Sequence, residues 1–268
     1  MFRNLTTANG IVSTLKACED AAGVPRSTIR SRNRNDKKAP TMPTHDVSSP
    51  ATQTTPDAWP RAVLFDLLTA LLNSWTVWNT AAGSEKAGRT WRAEYLRRTY
   101  GCGAYVSYEQ LVREAAEHVG LPASAPEALE AQWATLPAWD GARELLQALR
   151  PHCKLAVVTN CSEKLGQQAA ALLGIDWDVV VTSEQAGFYK PDPRPYQLAL
   201  TRLGVSASEA AFVAGSGYDL FGTSKVGMRT FWHNRIGLTL PEGAPAPERE
   251  ASTLAPALPW LRTFRATA

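Results

Sequence analysis

The chain has 268 residues, 44% hydrophobic and 20% charged, with a formal net charge of +3. That apolar share supports a core and excludes a wholly disordered chain, and the length suits one or two domains. No stretch approaches the about 20 consecutive apolar residues of a bilayer span, so no membrane is expected. Outside one basic stretch the charge balance carries no nucleic-acid signature. Four cysteines, Cys18, Cys102, Cys153 and Cys161, form neither a CxxC pair nor a Cys/His metal spacing. With no apolar signal core at the start, they read as thiols of a reducing compartment, and a cytoplasmic location is expected.

Residues 1–57 are rich in Ser, Thr, Asn, Arg and Pro and lack apolar periodicity. They are expected to form a flexible basic leader, because they bury too little surface to offset their ordering entropy. Its cations cluster at Arg26, Arg30, Arg32, Arg34, Lys37 and Lys38, with Asp36 among them. Three readings stand: an extended start ahead of Met42, a transit peptide, or a basic arm touching nucleic acid. Glu19, Asp20 and Asp36 count against the transit peptide.

The pattern changes at Trp59. Ala62, Val63, Leu64 and Phe65 form a short apolar run closed by Asp66, the signature of a buried parallel strand. Residues 72–138 read as helical, with helices predicted over 89–98, after Ser107 and over 126–133. Ser107 with Gln110 makes a capping-box pattern before Leu111, Val112, Ala115, Ala116 and Val119. Asp140 is a candidate N-cap for a helix over 142–149. From there strands (155–158, 179–181, 211–214, 230–232) alternate with helices, one capped by Ser162 and one over 195–203 closed by Gly204. That alternation predicts an α/β fold: a doubly wound, Rossmann-like parallel sheet with an all-helical cap inserted after the first strand. The expected division is 58–71 and 139–268 as core and 72–138 as cap. The Pro/Ala-rich stretch 241–259 is expected to be irregular until Trp260, Leu261 and Phe264 dock.

Ligands of open parallel sheets bind beyond the carboxyl ends of the strands. Polar markers sit there in the order Asp66, Thr159-Asn160, Lys190, and Ser216 through Asp219. Singly, each reads as readily as a cap or a solvated loop residue. Together, in this order and on these elements, they favour a site. A carboxylate can attack carbon or phosphorus and form a covalent ester or acyl phosphate, and a nearby ammonium favours its ionised form.

These motifs resemble those of the haloacid dehalogenase-like hydrolases over residues 61–236. 62-AVLFDLLTALLNSW-75 is similar to the first motif, with Asp66 as nucleophile. 155-LAVVTNCS-162 is similar to the second with Thr159, 189-YKPDPRPY-196 to the third with Lys190, and the stretch from Phe212 to Arg235 to the fourth with Asp219. Phosphatases of that superfamily carry a second aspartate two residues after the nucleophile, to protonate the leaving alcohol, and an acid pair for Mg²⁺. Here Leu68 and Gly215 stand at the first of those positions and at one member of the pair. Halide leaves without a proton, so the resemblance points to the L-2-haloacid dehalogenase branch, with no metal or other cofactor.

That branch implies a small carboxylate as substrate and a homodimer. It implies Asp66, Lys190 and Asp219 as catalytic residues. Arg92 resembles its halide-binding cap arginine, Asn160 its halide-side amide and Tyr196 its third-motif tyrosine. Thr159 and Ser216 complete the binding set, with Thr69 standing in for a hydroxyl that Ala70 lacks; Ala214 is a further departure. Trp75, Trp78 and Trp91 read equally as cap packing or pocket lining. The alternatives are a Mg²⁺-dependent, phosphatase-like hydrolase using Asp66 and Asp219, or a catalytically silent relative that binds a ligand.

Overall fold

The computed structural model describes residues 58–265. The expected leader, 1–57, and its three readings lie outside them. Apolar runs form the strands β1 (Ala62–Phe65), β2 (Lys154–Thr159), β3 (Val179–Thr182), β4 (Ala210–Ala214) and β5 (Arg229–His233), and a short β6 (Arg249–Ala251) completes the sheet. All neighbours pair in parallel, in the order β3-β2-β1-β4-β5-β6. Every residue of β1 is 0% exposed, as a strand covered on both faces must be.

Strand alternation divides the core. Val63, Phe65, Leu155, Val157, Ala211 and Val213 face α5 (Ala142–Leu149) and α6 (Glu163–Ala171). Ala62, Leu64, Ala156, Val158 and Phe212 face a helix over Pro193–Leu203. The chain winds from β1 to β2 and β3 on one side, then crosses to β4, β5 and β6 on the other. The winding reverses between β1 and β4, where strand ends part and leave a crevice.

Four helices fill the insertion after β1: α1 (Ser74–Ala81), α2 (Glu85–Gly101), α3 (Tyr108–His118) and α4 (Ser124–Ala131), followed by a 3₁₀ turn at Trp133–Thr135. The insertion closes on itself where it leaves the core. Leu72 bridges Ala138, the Asn73 amide donates to the Pro137 carbonyl at 2.8 Å, and the Trp139 amide to the Leu71 carbonyl at 2.8 Å. It is tied down on the sheet side by the Ala104–Phe188 bridge and by Trp133 Nε1 donating to the Leu165 carbonyl at 2.9 Å. Among the described residues no helix is long and apolar enough to cross a membrane.

Several local expectations need correction. The helix predicted over 89–98 runs from Glu85 to Gly101, because Ser84 accepts from the Ala87 amide and starts it earlier. The one predicted over 126–133 ends at Ala131. Asp140 is not the cap of α5. Gly141 holds that position at φ +81°, a left-handed backbone that disfavours other residues. Ser107 and Ser162 do cap α3 and α6, accepting from the Gln110 and Leu165 amides at 3.4 Å. The Gln110 side chain donates to Glu114, so the reciprocal half of the capping box is missing. The stretch expected to be irregular contains β6 and the start of a helix over Ala257–Arg262, which buries Trp260 and Leu261.

Candidate active site

Phe65 ends β1, and Asp66 follows it with its amide donating to the Val213 carbonyl of β4 at 3.0 Å. The backbone then turns sharply, and the turn wraps the Asp66 carboxylate. Oδ2 accepts from the Thr69 amide at 2.8 Å, the Thr69 hydroxyl at 2.6 Å and the Ala70 amide at 3.0 Å. Oδ1 accepts from Lys190 Nζ at 2.8 Å. The same ammonium lies 2.9 Å from Asp219 Oδ1, which also accepts from the Tyr196 hydroxyl at 2.8 Å. Asp66, Lys190 and Asp219 are 6%, 4% and 3% exposed, so this chain of charges is shielded from water.

Burial alone pushes the Asp66 carboxyl up. The Lys190 ammonium and the hydrogen bonds from Lys190 and Thr69 outweigh burial and hold it below the usual carboxylate range. Asp219 moves the other way, raised by burial and by the charge of Asp66 against the pull of Lys190. Lys190 loses ground to burial but is held above its ordinary value by Asp219 and Asp66. The same cation thus holds Asp66 more readily ionised than Asp219.

Glycine makes the turn possible. A Cβ on Gly215 would lie 2.2 Å from the Ala70 nitrogen and 2.3 Å from the Thr69 hydroxyl, so the loop after β4 packs directly on the donors of Asp66. A Cβ on Gly222 would lie 2.3 Å from the Tyr196 ring, so the helix over Asp219–Val226 approaches that tyrosine equally closely. Behind the turn, His233 Nδ1 donates to the Ala70 carbonyl at 2.8 Å, and burial lowers the pKa of that imidazole.

Asp66 lies at the floor of a cavity of about 410 Å³ between sheet and cap. Of the expected site residues, Asp66, Thr69, Arg92, Asn160, Lys190, Ser216 and Asp219 line it. Tyr196 and Thr159 do not. Tyr196 stands behind Asp219 as its hydrogen-bond donor, which corrects its expected contact with substrate. Thr159 lies buried with a hydroxyl that has no hydrogen-bond partner. The Thr69 hydroxyl is spent on Asp66. The Asn160 amide clamps the main chain of Lys190: Oδ1 accepts from its amide at 2.7 Å, and Nδ2 donates to its carbonyl at 3.0 Å. One N–H of Nδ2 is left for the cavity.

From the cap, Arg92 Nη1 donates to the Ser74 hydroxyl at 2.7 Å, its Cζ lies 4.2 Å from the centroid of Trp75, and its Nε has no partner. Trp75 and Trp78 line the cavity, whereas Trp91 packs inside the cap with Nε1 donating to the Val112 carbonyl at 2.9 Å. Sequence reasoning overlooked three supports: His233, Ser183, whose hydroxyl donates to Asn160 Oδ1 at 2.9 Å, and Gly215 as a packing residue. A histidine at the end of β5 was the one available signal.

The donor set does not fit Mg²⁺. Asp66 and Asp219 both already face the Lys190 ammonium, and an acid at position 215 has no room for its first carbon. Among the described residues no group of three or more His, Cys, Asp or Glu side chains could hold a metal ion.

The haloacid dehalogenase-like hydrolase family model matches residues 53–222. (S)-2-Haloacid dehalogenase 4A of Burkholderia cepacia is 29% identical over 194 residues, covering 66% of this chain and 84% of that protein. (S)-2-Haloacid dehalogenase 1 of Pseudomonas sp. (strain CBS-3) is 29% identical over 218 residues, covering 75% and 96%. A solved dehalogenase structure superposes with a TM-score of 0.67 at 28% identity, covering 76% of this chain and 98% of that one.

Proposed function

We propose a reaction on one premise: the chain belongs to the haloacid dehalogenase-like hydrolase family. The reaction is hydrolysis of the carbon–halogen bond of a 2-haloalkanoic acid to a 2-hydroxy acid. Two similar proteins are (S)-2-haloacid dehalogenases, which supports the substrate class. The observation that carries the reading is the setting of Asp66: a carboxylate that accepts from four donors, open to a cavity, its pKa held down against burial by Lys190 and Thr69, and with Leu68 rather than an acid two residues on. A phosphate ester needs a proton for its alkoxide, and Leu68 has none to give.

In the first step Asp66 Oδ1, with one donor against three on Oδ2, attacks C2 opposite the halide. A carbon–oxygen bond forms, the carbon–halogen bond breaks, and halide leaves with the bonding pair toward Arg92. The configuration at C2 inverts. In the second step water adds to Cγ of the ester. The charge then develops on Oδ2, where the Thr69 and Ala70 amides and the Thr69 hydroxyl form an oxyanion hole. The Cγ–Oδ1 bond breaks and Oδ1 departs as the hydroxyl of the product. Asp219, held by Lys190 and Tyr196, takes a proton from the water and returns it to that oxygen; the second proton is released. The cap that closes the site is the unit 72–138, on the pairing of Leu72 with Ala138.

The test is chloride release from L-2-chloropropionate with and without chelator, beside a panel of phosphate esters with Mg²⁺. Release that survives chelator is expected. Turnover of phosphate esters alone would favour the metal-dependent alternative. Ligand-induced thermal stabilisation without any turnover would favour the silent relative.

A further inference from the structure

The cavity is much larger than a three-carbon acid requires. Its volume of about 410 Å³ falls within the roughly 300–1,000 Å³ of pockets that take drug-sized ligands. Its chemistry is also unevenly distributed. The charged triad Asp66, Lys190 and Asp219 lies together at the floor, and the cap adds Arg89, Thr90 and Arg92. Most of the remaining wall, Leu68 included, is apolar. Ala93, Leu96 and Tyr100 line it from α2, spaced three and four residues apart and so on one helical face, and Trp75, Leu238 and Pro241 add further apolar surface; Arg89 and Thr90 are the polar residues α2 contributes beside Arg92. Water in such a space has few partners, and an apolar group that displaces it gains affinity.

We propose that the acid taken by this site carries an apolar chain of several carbons on C2, laid along the wall from Leu68 to Leu96. This rests on the haloacid reading of the floor. With carboxylate and halide held among Lys190, Ser216 and Arg92, and C2 against Asp66, the remaining substituent on C2 points up the cavity. A hydrogen or methyl there leaves the wall bare. Each added methylene that reaches it strengthens binding by about fourfold, the factor for moving a CH₂ out of water.

Two readouts separate this inference from the reaction itself. The first is kcat/KM for halide release across L-2-bromoalkanoates of three, six and eight carbons. The eight-carbon acid is expected to exceed the three-carbon acid by at least about tenfold. A flat or falling series would overturn the proposal while leaving the dehalogenase reading intact. The second is binding of propionate and octanoate, which carry no halogen, followed by tryptophan fluorescence, since Trp75 and Trp78 line the cavity. Tighter octanoate binding with no halide release from any bromoacid would sink the reaction but support the apolar chain site. Equal binding of the two acids would overturn that site. Ala93→Phe fills the wall and is expected to pull the eight-to-three-carbon ratio toward one. An unchanged ratio in folded protein would contradict the placement of the chain along α2.

Discussion

The floor of the cavity and its cap wall are built in opposite ways. At the floor the charged groups are paired with one another: Asp66 accepts four hydrogen bonds, Lys190 bridges two carboxylates, and Tyr196 closes the row. On the cap side Arg92 Nε and the Tyr108 hydroxyl are buried with no hydrogen-bond partner, and most of the surrounding lining is apolar, with Arg89 and Thr90 the other polar residues. A fully paired floor is preorganised and needs no rearrangement to react. A mostly apolar wall imposes few directional contacts and can accept many shapes. On the proposed reaction the chemistry belongs to the sheet and recognition to the cap, and substitutions should divide in the same way.

The largest effect is expected for Asp66→Asn, which keeps the shape of the floor and removes the proposed nucleophile. Halide release should fall by about 10⁴-fold or more, while octanoate binding, read by fluorescence, persists. Lys190→Met comes next. It leaves two buried carboxylates facing each other, so stability to urea should drop by about 3–5 kcal/mol, as when one partner of a buried ion pair is removed.

The pH dependence follows from the same charges. The depressed pKa of Asp66 contributes stability that is present above the unfolded aspartate value of about 3.9 and lost as pH falls through the folded value. The raised pKa of Lys190 contributes stability present below about 10.4 and lost as pH rises through its folded value. Asp219, with its raised pKa, offsets part of the acid-side gain, and that cost is relieved as it protonates. Without Lys190 the pKa of Asp66 should rise, moving the acid limb of adduct formation to higher pH. An unmoved limb would break the link between the cation and the nucleophile.

Gly215→Asp tests whether the floor tolerates the acid that a metal site would use. Its Cβ would strike the turn holding Asp66, and a displacement of about 1 Å there is expected to cost about 100-fold in kcat. Added Mg²⁺ should not restore activity. Tyr196→Phe is the mildest change. It removes one hydrogen bond to a buried carboxylate, worth about 1.5–3 kcal/mol, and should slow ester hydrolysis about tenfold or somewhat more. Because Tyr196 does not line the cavity, the rate of the first halide released should hardly move. A change in KM alone would return this tyrosine to substrate binding.

Much of this was legible in the sequence, for local physical reasons. Ala62–Phe65, Ser162 and Gly204 announce a buried strand, a helix start and a helix stop through properties of the residues themselves. The order of Asp66, Lys190 and Asp219 along alternating strands and helices marked the floor. What stayed hidden depends on distant partners. β6 has two exposed residues among its three and no apolar signal; it exists because β5 offers an edge. Asn160 and Tyr196 bear side chains suited to substrate, yet Asn160 spends most of its amide on the backbone of Lys190 and Tyr196 its hydroxyl on Asp219. The importance of Gly215 lies in what it lacks, which only the facing turn at Thr69 and Ala70 reveals.

The division between floor and wall depends on Asp66 forming the covalent bond. A single turnover in H₂¹⁸O, with enzyme in excess over a 2-bromoalkanoate, tests this directly by mass spectrometry of the peptide containing Asp66 and of the product. If water opens an ester at Cγ, the label enters the Asp66 carboxylate and the 2-hydroxy acid emerges unlabelled. Label in the product, with none in the peptide, would mean that water attacked C2 itself and would contradict the account.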